Sequence, residues 1–382
     1  MSFQRSTSSL MEERTRVNGH FSDTESSLAS VSTRPSHALH KAHKLAHLFS
    51  YLGASNPLPA PIEADDVVWV MDNVAFRGRG GQWEAEFVAA TFDHQASPAV
   101  VDIVGDIASK VGLSKGAREE QTIEERIAPF IMEVLPGRQV KLNFGGSTAI
   151  KLGPGGRNGI SSDVRKLPNA KAGSLAQSTT DVPMGVVGSL KMKTLYAEPE
   201  GWAVISDIDD TIKVTQTSDP VGILRTTFVS EPMPVSGMPK LYARLHKLLT
   251  PSAPFFYLSA SPYNLYPFLR EFRETFYPHG QLILRDSSWM TLSGLLSSLT
   301  LGTERYKTDR MKKIHRWLPR RKLICVGDST QSDPEAYGDI FRSFPGWIKL
   351  ILIRKVTDVA AVGIKEKNED KRFEKAFEGV PR

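Results

Sequence analysis

The run Asp207-Ile208-Asp209-Asp210-Thr211 constrains this chain more than any other feature. It follows Trp202-Ala203-Val204-Ile205, which reads as a buried strand, and so sets three carboxylates at that strand's C-terminal edge. In open α/β sheets that edge is where ligands bind. Carboxylates gathered there repel one another by roughly 4 kcal/mol per pair at 4 Å and a surface-like dielectric, so a cation is expected among them. Mg²⁺ favours oxygen ligands of this kind and retains waters and phosphate oxygens alongside them. An acidic turn or helix cap is the plainer reading of the run taken alone, because Asp and Thr are common there.

Two further apolar strands end in polar groups. Phe255-Phe256-Tyr257-Leu258 runs into Ser259-Ala260-Ser261, and Leu323-Ile324-Cys325-Val326 runs into Gly327-Asp328-Ser329, with Asp333 beyond. Between them Lys307 opens a basic amphipathic segment that ends at Trp317. The order strand–Asp-x-Asp-x-Thr, strand–Ser, Lys, strand–Gly-Asp-x-x-x-x-Asp resembles the haloacid dehalogenase superfamily of phosphotransferases. Residues 202–212, 258–266 and 326–337 resemble, more narrowly, the fungal actin-patch-associated, Mg²⁺-dependent phosphatidate phosphatases. Residues 67–92, with Trp69, Phe76 and Trp83-Glu84-Ala85-Glu86-Phe87, resemble the N-terminal module of that family.

The resemblance implies an α/β catalytic domain over residues 199–360, a haloacid dehalogenase-like Rossmannoid parallel sheet with a small cap. A β-rich accessory module over 65–198 precedes it. Asp207 is implied as the nucleophile that forms an aspartyl-phosphate. Asp209 is implied as the acid that protonates the leaving alcohol and the base that then activates water. Asp207, the Asp209 backbone carbonyl and Asp328 are implied as Mg²⁺ ligands, with Asp333 supporting the metal and its waters. Ser259 would hydrogen-bond a phosphoryl oxygen, and Lys307 would neutralise the phosphoaspartate. Plainer readings compete: Ser259 or Ser261 as a helix cap, Lys312 or Lys313 in place of Lys307, and Asp333-Pro334-Glu335 as the start of a helix. Thr211 reads as a turn stabiliser and Asp210 as a partner for local backbone.

A length of 382 residues suggests two domains plus tails. No stretch reaches the roughly 18–20 apolar residues that span a bilayer. Met1 to Asp23 lacks the apolar core of a secretory signal. The single cysteine, Cys325, excludes an internal disulfide and a Cys₄ zinc site, and a cytosolic protein is expected. Residues 1–60 read as a disordered tail carrying an amphipathic helix. Residues 1–36 are rich in Ser, Thr and charge. Leu45, Leu48, Phe49 and Leu52 then share a face opposite His40, His43 and His47. That helix would dock on the folded body or lie on a membrane as its histidines protonate. Residues 361–382 read as a charged tail. The accessory module lacks clustered carboxylates or histidines and reads as a binding or scaffold unit.

From Arg285 to Lys322 there are ten Lys or Arg against three Asp or Glu, a net +7, while the whole chain carries +6. The positive balance is therefore local. Such a face attracts an anionic phospholipid membrane surface at about 1 kcal/mol per basic residue. No nucleic-acid reading motif accompanies it, so nucleic acid is not an expected partner. The apolar, Ser-rich run from Trp289 to Leu299 reads as a buried helix or as a rim for acyl chains. Thr215 to Gly237 holds no large independent fold, which predicts an open site. A Mg²⁺-dependent phosphatidate phosphatase, cytoplasmic and peripheral to membranes or cortical actin patches, is the leading expectation. Actin-patch or endocytic proteins are possible partners under the resemblance. A phosphatase of soluble phosphomonoesters or phosphoproteins, and a cortical adaptor using the fold as a binding module, are the alternatives.

Overall fold

The structure, a computed structural model, describes residues 7–28, 49–96, 100–113, 117–249, 252–286, 292–358 and 363–381. Two sheets organise it. A nine-stranded sheet runs through the strands from Asp66–Val70 to Lys191–Tyr196. It is antiparallel except where Lys191–Tyr196 pairs in parallel with Asn73–Arg77. Its spine is the 14-residue strand Trp83–Ala96, where Trp83, Ala85, Phe87 and Ala89 face one core. That alternation is the period of two that a sheet with two different faces demands. Helices Val100–Lys110 and Ala117–Ile131 follow this strand and pack on each other.

The second sheet has five parallel strands: β1 (Trp202–Asp207), β2 (Phe255–Pro262), β3 (Gln281–Arg285), β4 (Lys322–Asp328) and β5 (Ile348–Arg354). Their spatial order is β3-β2-β1-β4-β5. The order reverses between β1 and β4, and the crevice beyond the carboxyl ends at such a reversal is the ligand position in α/β sheets. β1 and β2 are buried along almost their whole length, as strands covered on both faces must be. The mixed α/β architecture expected from the sequence is therefore present.

Segment 263–273 fastens the two sheets together. Tyr263 donates its hydroxyl to Asn158 O (2.9 Å), Asn264 donates to Pro129 O (2.6 Å), and the Tyr266 hydroxyl accepts from Asp72 N (2.8 Å). Arg273 Nη2 lies 2.9 Å from Asp72 Oδ2, and both side chains are buried. Much of the Pro-Tyr-Asn-Leu-Tyr motif that follows Ser261 is thus interdomain structure.

Two expectations about the ends need correction. Residues 7–28 are not a disordered stretch: α1 (Thr7–Asn18) and α2 (Phe21–Ser26) are helices laid on the domain of the five-stranded sheet. Phe21 and Leu28 are buried in the same apolar cluster as Leu295 and Leu299. α3 (Leu292–Thr300) and α4 (Thr303–Trp317) lie beneath them, and the Glu12 carboxylate accepts from Gly302 N (2.8 Å) and Thr303 N (2.9 Å) at the start of α4. Likewise the charged ending is folded. α5 (Asp333–Ser343) packs against α6 (Asp370–Ala376). Most of the His-rich helix, with His40, His43, His47, Leu45 and Leu48, lies outside the described residues. Among the described residues no helix is long and apolar enough to cross a membrane.

Candidate active site

The crevice at the β1/β4 reversal collects the residues singled out from the motifs. β1 delivers Asp207 and β4 delivers Asp328, both at their C-terminal ends. Asp333 opens α5, and Lys307 projects from the first turns of α4. All four are buried, none more than 1% exposed. Oxygens of Asp207, Asp328 and Asp333 lie within 4.8 Å of one another, a set that could hold a metal ion. Gly327 makes this possible, because a Cβ there would stand 2.6 Å from Asp333 Cβ and drive it away from Asp328.

Lys307 Nζ sits 2.7 Å from Asp207 Oδ1 and 2.5 Å from Asp333 Oδ1, and donates to Gln331 Oε1 at 3.1 Å. Lys313 instead pairs with Glu86 at 2.5 Å, so Lys307 is the lysine that enters the cluster. Asp333 does begin a helix, and its Oδ2 also accepts from Asp328 N at 3.1 Å. Asp333 is thus the first residue of the helix rather than its cap, a place Ser332 takes, and its carboxylate turns to Asp328 and Lys307.

Asp209 is held apart from these carboxylates. Its Oδ2 accepts from Ser259 Oγ (2.5 Å) and Ser261 Oγ (3.2 Å), and its Oδ1 from Thr215 Oγ1 (2.9 Å). Neither serine caps the helical turn that follows, Tyr263–Leu265, which has Pro262 in that place. Asp210 has a left-handed φ of 61°, and its carboxylate accepts from the backbone N–H groups of Thr215, Gln216 and Thr217 at 2.7–2.9 Å. It anchors the turn, a role suited to Asp in that conformation. Thr211 Oγ1 donates to Asp207 Oδ2 (2.9 Å) and lies 3.2 Å from Asp328 Oδ2, tying the turn to both carboxylates.

Electrostatics in this pocket are dominated by burial. Burial pushes the Asp207 carboxyl well above the usual carboxylate range, and the charges of Asp333, Asp328 and Asp209 push the same way, against Lys307. Burial and then Asp333 and Asp210 push Asp328 up to about 7, against Lys307 and its bond from Thr330. For Lys307 burial acts downward, but Asp207, Asp333 and Asp328 outweigh it and hold the ammonium above its ordinary value. One lysine thus faces three carboxylates, and the remaining negative charge favours a bound cation. Both Asp207 oxygens are engaged, Oδ1 by Lys307 at 2.7 Å and Oδ2 by the Thr211 hydroxyl at 2.9 Å.

The site is closed, in contrast to the open one expected. Arg225–Val229 packs on Ala117–Ile131, Phe130 meets Phe228 at 5.5 Å, and Arg225 Nη2 donates to Val111 O at 3.0 Å. Accessory-module residues thus pack against the 215–237 segment. A cavity of about 30 Å³ remains beside Thr330, Gln331 and Lys367, with Met11 and Glu12 of α1 on its wall.

Several contributing residues were not singled out in advance. Thr330 donates its N–H and hydroxyl to Asp328 Oδ1, Gln331 meets Lys307, and Thr215 meets Asp209. Their signal was position alone, in polar runs flanking the acidic motifs. Lys213, 2% exposed, donates to Thr215 Oγ1 at 3.2 Å, and burial lowers its pKa.

With this geometry in hand, residues 202–355 match the family described as "Phosphatidate phosphatase APP1, catalytic domain". The chain is 30% identical over 254 residues to the phosphatidate phosphatase APP1 of Saccharomyces cerevisiae, covering 63% of this chain and 41% of that protein. It is 24% identical over 183 residues to an uncharacterized protein of Schizosaccharomyces pombe, covering 48% of this chain and 29% of that one. The chain therefore spans less than half the length of either relative. The APP1 catalytic-domain match begins at the first residue of β1 and ends one residue past β5, so it contains every carboxylate of the cluster together with Ser259 and Lys307.

Proposed function

We propose that this protein is a Mg²⁺-dependent phosphatidate phosphatase that releases phosphate from phosphatidate to give diacylglycerol, built on a haloacid dehalogenase-like fold. The observation that carries the reading is Lys307, bridging Asp207 and Asp333 beside Asp328 while Asp209 is held separately by Ser259 and Thr215. That division suits one nucleophilic carboxylate and one proton carrier. The domain's match to the APP1 catalytic family supports the lipid substrate.

Asp207, Asp328 and Asp333, with the Asp209 backbone carbonyl, would hold the Mg²⁺; hard oxygen donors of this kind fit it. Bound there, the ion would supply Lewis-acid charge neutralisation for the phosphoryl group. An Asp207 oxygen attacks phosphorus, the phosphorus–glycerol oxygen bond breaks, and Asp209 gives its proton to the departing oxygen. Water then attacks the aspartyl-phosphate, Asp209 takes its proton, and Asp207 is released with inorganic phosphate. Lys307 steadies the charge on the phosphoaspartate throughout. Ser259 exchanges its bond to Asp209 for one to a phosphoryl oxygen. Under this reading the protein works in the cytoplasm at an anionic phospholipid surface, with the basic stretch from Arg285 to Lys322 toward it, and cortical actin-patch or endocytic proteins are its candidate partners.

The test is phosphate release from phosphatidate in detergent micelles, with and without Mg²⁺, beside a panel of soluble phosphomonoesters. Asp207→Asn and Asp209→Asn run in parallel. Activity on phosphatidate that needs Mg²⁺ and both aspartates is expected. Activity on soluble esters alone would remove the lipid from the proposal, and inactivity of folded protein on both would favour an adaptor.

A further inference from the structure

Arg372 lies on α6, beyond the residues matched to the APP1 catalytic family, yet it reaches the active-site wall. It is buried, 7% exposed. Nη1 donates to Ser329 O (2.6 Å) and Lys367 O (2.8 Å), Nη2 to Gln331 O (2.5 Å) and Glu335 Oε2 (2.9 Å), and Nε to Glu335 Oε1 (2.8 Å). All five guanidinium donors are therefore used.

Two of those acceptors are carbonyls in the loop that joins Asp328 to Asp333, and Glu335 sits on the first turn of the helix Asp333 opens. That loop carries a difficult conformation. It must bring two like-charged, buried carboxylates together, while Thr330 bonds Asp328 and Gln331 meets Lys307. Among other bonds to the loop, Ser329 donates its N–H to Arg354 O and accepts at Oγ from Val356 N, and Ser332 O accepts from Ala336 N. Arg372 is the group that joins the Ser329 and Gln331 carbonyls to Glu335. A planar fork can do this in three directions at once, whereas an ammonium on a flexible stem cannot.

We propose that Arg372 is a positioning residue: it fixes the loop so that Asp328 and Asp333 converge on a divalent cation and Gln331 faces Lys307. The catalytic unit then extends through α6. The kinetic consequence rests on the phosphatase reading, but the cation binding does not.

The full chain is compared with Arg372→Lys, Arg372→Met and the milder Glu335→Gln. Arg138→Met serves as a control, since it breaks a buried ion pair in the accessory module, 3.0 Å to Asp66. Mn²⁺ binding is read by electron paramagnetic resonance below each variant's melting temperature. Mg²⁺ activation is read on a soluble aryl phosphate. Both Arg372 variants are expected to bind Mn²⁺ about 10–100-fold more weakly, the usual effect of losing a partner that orients metal ligands. Glu335→Gln should shift the same way by less, and Arg138→Met should bind as the parent does. At saturating Mg²⁺, KM for the ester should stay within about two-fold. Parental Mn²⁺ affinity in folded Arg372→Lys and Glu335→Gln overturns the proposal, as does equal weakening in Arg138→Met or a parent chain that binds no cation. A parent that binds Mn²⁺ through Arg372 but hydrolyses no phosphate ester sustains this proposal and sinks the phosphatase reading.

Discussion

Asp72, from the accessory sheet, and Arg273, from the catalytic domain, form an ion pair of 2.9 Å in which neither side chain is more than 1% exposed. Asp72 also accepts from Lys193 N at 2.8 Å, and Arg273 donates to Gly280 O. Burial alone would raise the Asp72 carboxyl, but Arg273 and Arg270 outweigh it and hold the carboxyl below its usual value. This pair, with the tyrosines before it, makes the two sheets one structural unit.

Removing one partner of a buried pair leaves the other charge without compensation, at a cost of about 3–5 kcal/mol. Asp72→Ala is therefore expected to destabilise by that order and to uncouple the sheets. Calorimetry should show the parent's unfolding split into two transitions in the variant. A single, little-shifted transition would mean that the aromatic contacts alone hold the interface.

His279 stands 4.0 Å from Asp72 Oδ2 in the same interface. Burial, then Arg273, pushes its pKa down from 6.5 to about 4, with Asp72 acting the other way. A base with a depressed folded pKa contributes stability above its unfolded pKa and loses it as pH falls through the folded value. The window here runs from pH 6.5 down to about 4, and the loss is on the order of 3 kcal/mol at most. Across that window the parent's melting temperature should fall relative to that of His279→Gln as the pH drops. Parallel curves would show that His279 does not titrate differently on folding.

The strand-end positions of Asp207 and Asp328 and the short spacing to Asp333 were legible in the sequence, whereas Lys307, on a helix between them, was reached through the family resemblance. A buried apolar strand can expose only its terminal side chains; the close approach of Asp333 that Gly327 admits emerged only in the structure. The packing of the 215–237 segment was not legible, since it depends on helix Ala117–Ile131 meeting a segment about 100 residues later. The folded ends escaped for a related reason. α1 and α2 dock largely through Glu12, Phe21 and Leu28, and three anchors vanish in the average of a Ser-rich stretch. Arg372 looked like one more charge in a charged tail, because its acceptors are backbone carbonyls with no sequence signature.

Lys307 is surrounded by three carboxylates, so its loss has a thermodynamic signature besides the catalytic one. Lys307→Met removes the cation between Asp207 and Asp333 and is expected to destabilise the metal-free protein by about 3–5 kcal/mol. Millimolar Mg²⁺ should restore part of the melting temperature, since the carboxylates remain. If the phosphatase reading holds, phosphate-ester turnover should fall by about 10²–10³, the usual effect of deleting a group that stabilises developing charge. A variant that melts like the parent without Mg²⁺ would show that the carboxylates are protonated there and need no lysine.

Asp328 illustrates a site kept at a cost to stability. Its folded pKa of about 7 lies above the ordinary value of 3.8, chiefly through burial and then through Asp333. An acid raised in this way adds stability below its unfolded pKa and loses it as pH rises through the folded value. Metal-free protein should therefore lose stability between about pH 4 and pH 7. Asp328→Asn keeps an acceptor for Thr330 while removing the charge. At pH 8 in EDTA the variant should be more stable than the parent by on the order of 2 kcal/mol. Addition of Mg²⁺ should raise the parent's melting temperature and leave the variant's nearly unchanged, reversing their order. Scanning fluorimetry in EDTA and in Mg²⁺ reads both effects on one plate. If the variant melted below the parent in EDTA, the Asp328 carboxylate would be holding the loop together in its own right, and the repulsion would be too weak to matter.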